Sequence, residues 1–163
     1  MADRQDGARR SRNVGAQSQP TYYRDRSAGQ DVIVGLGTDL TEIERIEKSI
    51  ARFGHRFLER IFTPAEIEYC LRKKKSSAES FAARFAAKEA AAKALGTGIS
   101  RGVSWQEVEV TRLASGKPGM RLHGKAEERA ARMGVLWISV SLTHTRGLAM
   151  AIVLMEGSDS SRI

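Results

Sequence analysis

Cysteine occurs once in the 163 residues, proline three times, and aromatic residues make up 6% of the chain. The single cysteine, Cys70, excludes an intrachain disulfide and fits a reducing compartment. Set in an apolar helical context, it reads as a small packing residue rather than a reactive thiol. No apolar run approaches the ~20 residues that span a bilayer, so no membrane partner is expected. The first thirty residues also lack the apolar core of a secretory signal. A net charge of +8 would attract nucleic acid, but no reader motif is present and the Trp and Tyr residues are scattered.

The positive charge belongs to the body of the chain. Residues 1–31 carry six Arg against four acids, whereas residues 32–156 carry 20 Lys and Arg against 14 acids. A basic body implies an anionic partner, such as an acidic protein or a phosphorylated cofactor. Residues 1–30 are rich in Arg, Ser, Gln, Gly and Asp with almost no aliphatic side chains, a composition that predicts disorder.

The strongest local signal is 81–98, FAARFAAKEAAAKALGTG. Strong helix formers end on Gly96 and Gly98, which predicts a helix and its stop. Phe81, Phe85, Ala92 and Leu95 fall on one stripe, with Ala83, Ala86, Ala90 and Ala94 roughly opposite. A helix apolar on two sides is expected between other elements. The spacing of Glu89 and Lys93 fits an ordinary intrahelical pair or a carboxylate and cations arranged for a metal–phosphate group.

Around this helix the pattern predicts a buried strand over 32–40 that ends near Asp39. Thr41-x-x-Glu44 then has the form of a capping box, opening a helix with Ile43, Ile46, Ile50 and Phe53 inside. Arg45, Lys48 and Arg52 mark its outer side. Thr63-Pro64-x-Glu66 opens the next helix, running through Cys70 toward the cations 72–75. Residues 105–112 alternate like a half-exposed strand, 115–119 form a turn, and 125–133 a short charged helix. The stretches 136–142 and 148–155 predict a closing hairpin around His144.

The motif Arg84-Phe85, Lys88-Glu89-Ala90, Lys93-Ala94, Gly96-Thr97-Gly98 resembles the signature of the holo-acyl-carrier-protein synthases, the small bacterial 4′-phosphopantetheinyl transferases. Four more blocks follow the same order and spacing: GLGTDL-x-x-I-x-R-I at 35–46, FTPAEIEYC at 62–70, GKP-x-x-x-L-x-G-x-A at 116–126 and S-x-T-H-T at 141–145.

This resemblance implies an α+β fold, a small antiparallel sheet packed on a long central helix. It implies a domain over 31–156; the flanking segments 1–30 and 157–163 are expected to be disordered. It implies homotrimers with coenzyme A sites at subunit interfaces and a cytoplasmic location. The implied reaction moves 4′-phosphopantetheine from coenzyme A to a serine of apo acyl carrier protein, as part of fatty acid biosynthesis.

Asp39 and Glu89 inherit the role of Mg²⁺ ligands, and with Lys93 the catalytic role. Arg84, Lys93, Gly96, Lys117, Pro118, Ser141, His144 and Thr145 inherit contacts to coenzyme A, and Arg45 and Arg52 inherit contacts to the acidic carrier protein. A water on the metal or Glu89 itself could take the serine proton. A nucleic-acid-binding module and a silent scaffold for carrier protein are the competing classes. Conversion of apo to holo carrier protein separates both from the enzyme.

Overall fold

Glycines at every second place in one strand let the long helix lie directly on it. In the computed structural model, which describes residues 31–99 and 102–158, strand β1 (Asp31–Glu42) packs against helix α4 (Ser77–Ala94). A Cβ at Gly37 would collide with the carbonyl oxygen of Ala90, and one at Gly35 would sit 2.6 Å from that of Ala94. The alanines at 82, 83, 86, 87, 90, 91 and 94 are buried, so both faces of the helix are covered. Small residues allow this approach, and close packing rewards it with dispersion contacts.

β1 pairs antiparallel with β5 (Leu148–Ser158), which pairs antiparallel with β4 (Val135–His144), giving the order β1-β5-β4. A separate hairpin joins β2 (Val108–Arg112) to β3 (Pro118–Leu122). Helices α1 (Ile43–Phe53), α2 (His55–Ile61) and α3 (Pro64–Arg72) lie between β1 and α4, and α5 (Gly124–Arg132) precedes β4. One core lies between α4, the sheet and the hairpin. A second gathers Ile43, Ile46, Leu58, Phe62, Ile67 and Phe81 around α1–α3. The architecture is α+β.

Several boundaries differ from the sequence reading. β1 continues through Glu42, and Thr41 does not cap α1, because its hydroxyl donates to Asp39 Oδ2 at 3.0 Å. The Ile43 amide instead donates to the carbonyl of Gly147, in the β4–β5 turn, at 2.8 Å. Phe53 is 53% exposed rather than inside, with Arg52 stacked on its ring.

Helix α2 was not anticipated; Gly54, at φ 56°, breaks the chain from α1 and lets a second helix start. Trp105–Glu107 is a 3₁₀ turn rather than strand, because Glu107 reaches back to accept from the Ser104 amide at 2.7 Å. The expected box at Thr63 and Glu66 is present. β5 runs to Ser158, past the expected end of the domain at 156. The segments 1–30 and 159–163 lie outside the described residues.

Candidate active site

Asp39 points from β1 toward the last turns of α4. Lys93 Nζ donates to Asp39 Oδ1 at 2.8 Å and to the Thr38 carbonyl at 3.0 Å, while Thr41 holds the other carboxylate oxygen. The Lys93 side chain remains 52% exposed and that of Asp39 15% exposed. Lys93 therefore reaches across to β1 and leaves ammonium surface open to an incoming anion.

Glu89, one turn back on α4, is half-buried. Burial first, and then the negative charge of Asp39, push its carboxyl above the usual range; Lys93 and Arg45 oppose this. Two carboxylates, one from β1 and one from α4, thus act on one another beside the Lys93 ammonium. Among the described residues no cluster of three His, Cys, Asp or Glu is assembled. A cation here would draw two carboxylates from the protein and its remaining oxygens elsewhere. That donor set fits Mg²⁺, which commonly binds one or two carboxylates together with phosphate and water.

Glu89 also opens onto a cleft of about 980 Å³, walled by Ile99, Val103, Trp105, Gln106 and Lys125. Arg45, six residues after Asp39 on α1, lies close enough for its charge to act on Glu89. It also lines a groove of about 350 Å³ with Lys48, Arg52 and Phe53 on the outer side of α1. The two residues expected to meet the carrier protein thus share one surface, and one of them borders the acid pair.

The remaining expected site residues fall elsewhere. Arg84 is nine residues before Lys93, and at about 100° per residue the two leave opposite sides of the helix. Arg84 is 5% exposed; it donates to the Ser80 carbonyl at 3.3 Å and lies 4.1 Å above the Tyr69 ring, with its Nε unpartnered. Arg112 donates to the Tyr69 hydroxyl and, from Nε, to the Gly116 carbonyl at 3.1 Å, which ties this cationic group to the loop before Lys117. Burial raises the Tyr69 phenol, but the charges of Arg112, Lys73 and Arg84 outweigh it and leave the phenol below its ordinary value.

Lys117 and Pro118 share a hollow of about 420 Å³ with Ser141 and Ile152. His144 and Thr145 are exposed at the end of β4, where the Thr145 amide donates to the Leu148 carbonyl at 2.9 Å. Gly96 ends α4 at φ 70°, and Arg129 Nε donates to the Leu95 carbonyl beside it at 3.0 Å. Within one chain, then, Asp39, Glu89, Lys93 and Arg45 are gathered, while Arg84, Lys117 and Ser141 lie apart from them.

Tyr69, Arg112 and the cleft were not anticipated, although Tyr69 stands inside the FTPAEIEYC block. Lys88 is fully buried against Glu66 at 2.8 Å, so it is no surface cation of the site.

The model of a family described as the 4′-phosphopantetheinyl transferase superfamily matches residues 35–153. A holo-[acyl-carrier-protein] synthase of Solibacter usitatus is 51% identical over 125 residues, 77% of this chain and 99% of the relative. The synthase of Maridesulfovibrio salexigens is equally similar over the same shares. Among solved structures, the Helicobacter pylori synthase in complex with coenzyme A is 34% identical with a TM-score of 0.65, over 74% of this chain and 98% of that one. The Neisseria meningitidis synthase is 35% identical with a TM-score of 0.68, over 76% and 98%. With most of the described chain matched by sequence and by shape, the protein belongs to the 4′-phosphopantetheinyl transferase superfamily, within the holo-[acyl-carrier-protein] synthase family.

Proposed function

We propose that this chain transfers 4′-phosphopantetheine from coenzyme A to a serine of apo acyl carrier protein, releasing adenosine 3′,5′-bisphosphate. The observation that carries the reading is the gathering of Asp39, Glu89 and Lys93, with Glu89 opening onto a cleft. The serine oxygen forms a bond to the phosphorus bearing pantetheine. The bond from that phosphorus to the bridging oxygen breaks, and its electron pair leaves with the adenosine bisphosphate. Such transfer depends on positioning and on neutralising oxygen charge.

Asp39 and Glu89 would hold Mg²⁺, which when bound supplies positive charge to the pyrophosphate oxygens. Lys93, half-exposed, offers its ammonium to a phosphate oxygen. Glu89, which opens onto the cleft, is our candidate to take the serine proton. The cleft beside it has room for the arm that is transferred. Arg45 and Arg52 face an acidic carrier surface from α1.

We further propose that the active form is a homotrimer. The sheet face turned away from α4 exposes Leu36 at 60%, Leu40 at 61% and Ile152 at 40%, apolar surface suited to a second copy. One copy would supply Asp39, Glu89 and Lys93 to a shared site, and a neighbour Arg84, Lys117 and His144, reuniting groups that a single chain keeps apart. Among the described residues no helix is long and apolar enough to cross a membrane. We assign the work to fatty acid biosynthesis in the cytoplasm. The direct test is mass spectrometry of apo carrier protein incubated with the chain, coenzyme A and Mg²⁺. A gain of one phosphopantetheine is expected, and an unchanged mass overturns the reading.

A further inference from the structure

An ammonium group has three N–H donors. On Lys88 all three are committed inside the protein: to Glu66 Oε2 at 2.8 Å, to the Trp105 carbonyl at 3.0 Å and, over a shorter contact, to the Val108 carbonyl. The side chain is 0% exposed. No donor is left for a phosphate, although Lys88 sits between two cations of the same motif.

Each acceptor has a definite place. Trp105 belongs to the wall of the cleft onto which Glu89 opens, and Val108 begins β2 directly after that wall. Glu66 lies on α3, where it also accepts from the Val110 amide at 2.9 Å and from the Thr63 amide at 2.9 Å. The Trp105 ring is stacked on Phe85, three residues before Lys88, with centroids 4.7 Å apart.

We propose that Lys88 is a positioning residue: it fastens the cleft wall at 105–108 to the turn of α4 that bears Glu89, and so fixes the width of the cleft at the reacting end. The inference rests on the reading of that cleft as the place of the transferred arm. Buried and with its donors used inside the protein, Lys88 has none for coenzyme A or carrier protein. It acts through Trp105 and Val108 on one side and through its own helix on the other. A wall held by side-chain packing alone could shift, and displacements of about 1 Å from productive geometry can cost on the order of 100-fold in rate. Burying the pair is not the cheapest way to stabilise a core, since apolar replacements of buried ion pairs are often neutral or better. A structural role alone would therefore leave a folded apolar variant fully active.

The test uses the full chain carrying Lys88→Met with Glu66→Gln, which removes both buried charges together. Melting temperature, steady-state kinetics for each substrate, and hydrogen exchange are measured. The expected result is a folded protein whose coenzyme A KM rises and whose kcat falls, together lowering kcat/KM by about 10–100-fold. The carrier KM should stay within about twofold, because the α1 surface is untouched. Amides at 103–108 should exchange faster while those of β4 and β5 keep their protection.

Should the double variant fail to fold, Lys88→Gln keeps two N–H donors and is read in the same way, with Lys88→Arg as the charge-retaining comparison. Wild-type kinetics in a folded variant would overturn the proposal, as would exchange that accelerates equally in every strand. If the wild-type chain itself leaves apo carrier protein unmodified, the assigned reaction is what fails. The exchange pattern at 103–108 then still decides whether Lys88 fastens the wall.

Discussion

Asp39 has three neighbours with different demands on it. Lys93 and Thr41 bind its two oxygens, and Glu89 feels its charge. Asp39→Ala and Glu89→Ala should each abolish transfer while leaving the fold intact, and should weaken activation by Mg²⁺; assays at limiting Mg²⁺ decide this. Asp39→Asn gives a sharper reading. Its negative charge is one of the causes that raise the Glu89 carboxyl, so removing it should move the Glu89 titration to lower pH, as followed by carbonyl NMR. A Glu89 titration that stays in place would mean the two acids do not interact.

Cys70 supplies a second prediction at this scale. Burial is the largest cause that pushes its thiol up, to about 11 from 9.0. At pH 8 the thiolate fraction should be about 100-fold below that of an unperturbed thiol, so alkylation of the native protein should be slower by at least that factor. Iodoacetamide labelling before and after denaturation measures it.

Among the elements, α4 is the one the sequence announced most clearly, because its alanines and terminal glycines act locally. Its neighbours were less legible for physical reasons. Thr41 and Glu44 have the letters of a capping box, but the Thr41 hydroxyl is drawn to Asp39 and the strand runs on. The alternation at 105–107 looks like strand, yet the bond between Ser104 and Glu107 turns the chain into a 3₁₀ turn. Lys88 illustrates the remaining difficulty. Its burial depends on Glu66, Trp105 and Val108, which are remote in sequence, and no local pattern brings them together.

The contact between β1 and α4 gives a stability prediction. Gly37→Ala would drive a methyl group into the Ala90 carbonyl, a backbone atom that no rotamer change can move aside. A loss of about 1–3 kcal/mol or more is expected, read as a lowered urea midpoint.

Helix α1 allows the two substrates to be separated, with one complication. Arg45 acts on Glu89 as well as lining the outer groove, whereas Arg52 belongs only to the groove among these groups. Arg52→Glu should therefore raise the carrier KM and reduce its salt dependence, with the coenzyme A KM nearly unchanged. Arg45→Glu should alter both substrates and also raise the Glu89 carboxyl further. Kinetics at two salt concentrations, varying each substrate in turn, separate these outcomes.

At the scale of the molecule, the division of the expected coenzyme A contacts into two groups lends itself to complementation. Asp39→Ala and Arg84→Ala chains should each be nearly inactive alone. If sites are shared between neighbouring copies of a closed ring, random mixing should restore about a quarter of the wild-type rate, because some sites then receive both intact residues. No recovery after unfolding and refolding the mixture would mean that each chain builds its site alone. The residues themselves were legible in the sequence as members of motifs. Part of their separation was legible too, because nine residues put Arg84 and Lys93 on opposite sides of a helix; what each side meets was not, because Asp39, Tyr69 and Arg112 are remote in sequence from them.

The absence of side chains at Gly35 and Gly37 has a further consequence. Where strand and helix meet, peptide groups touch peptide groups. The spacing between Asp39 on one element and Glu89 with Lys93 on the other is thus gauged by main-chain dimensions, which vary far less than side-chain torsions. The joint works as a machined seat with no shim in it. Warming can loosen the rotamers around the acids without resetting the distance between their supports.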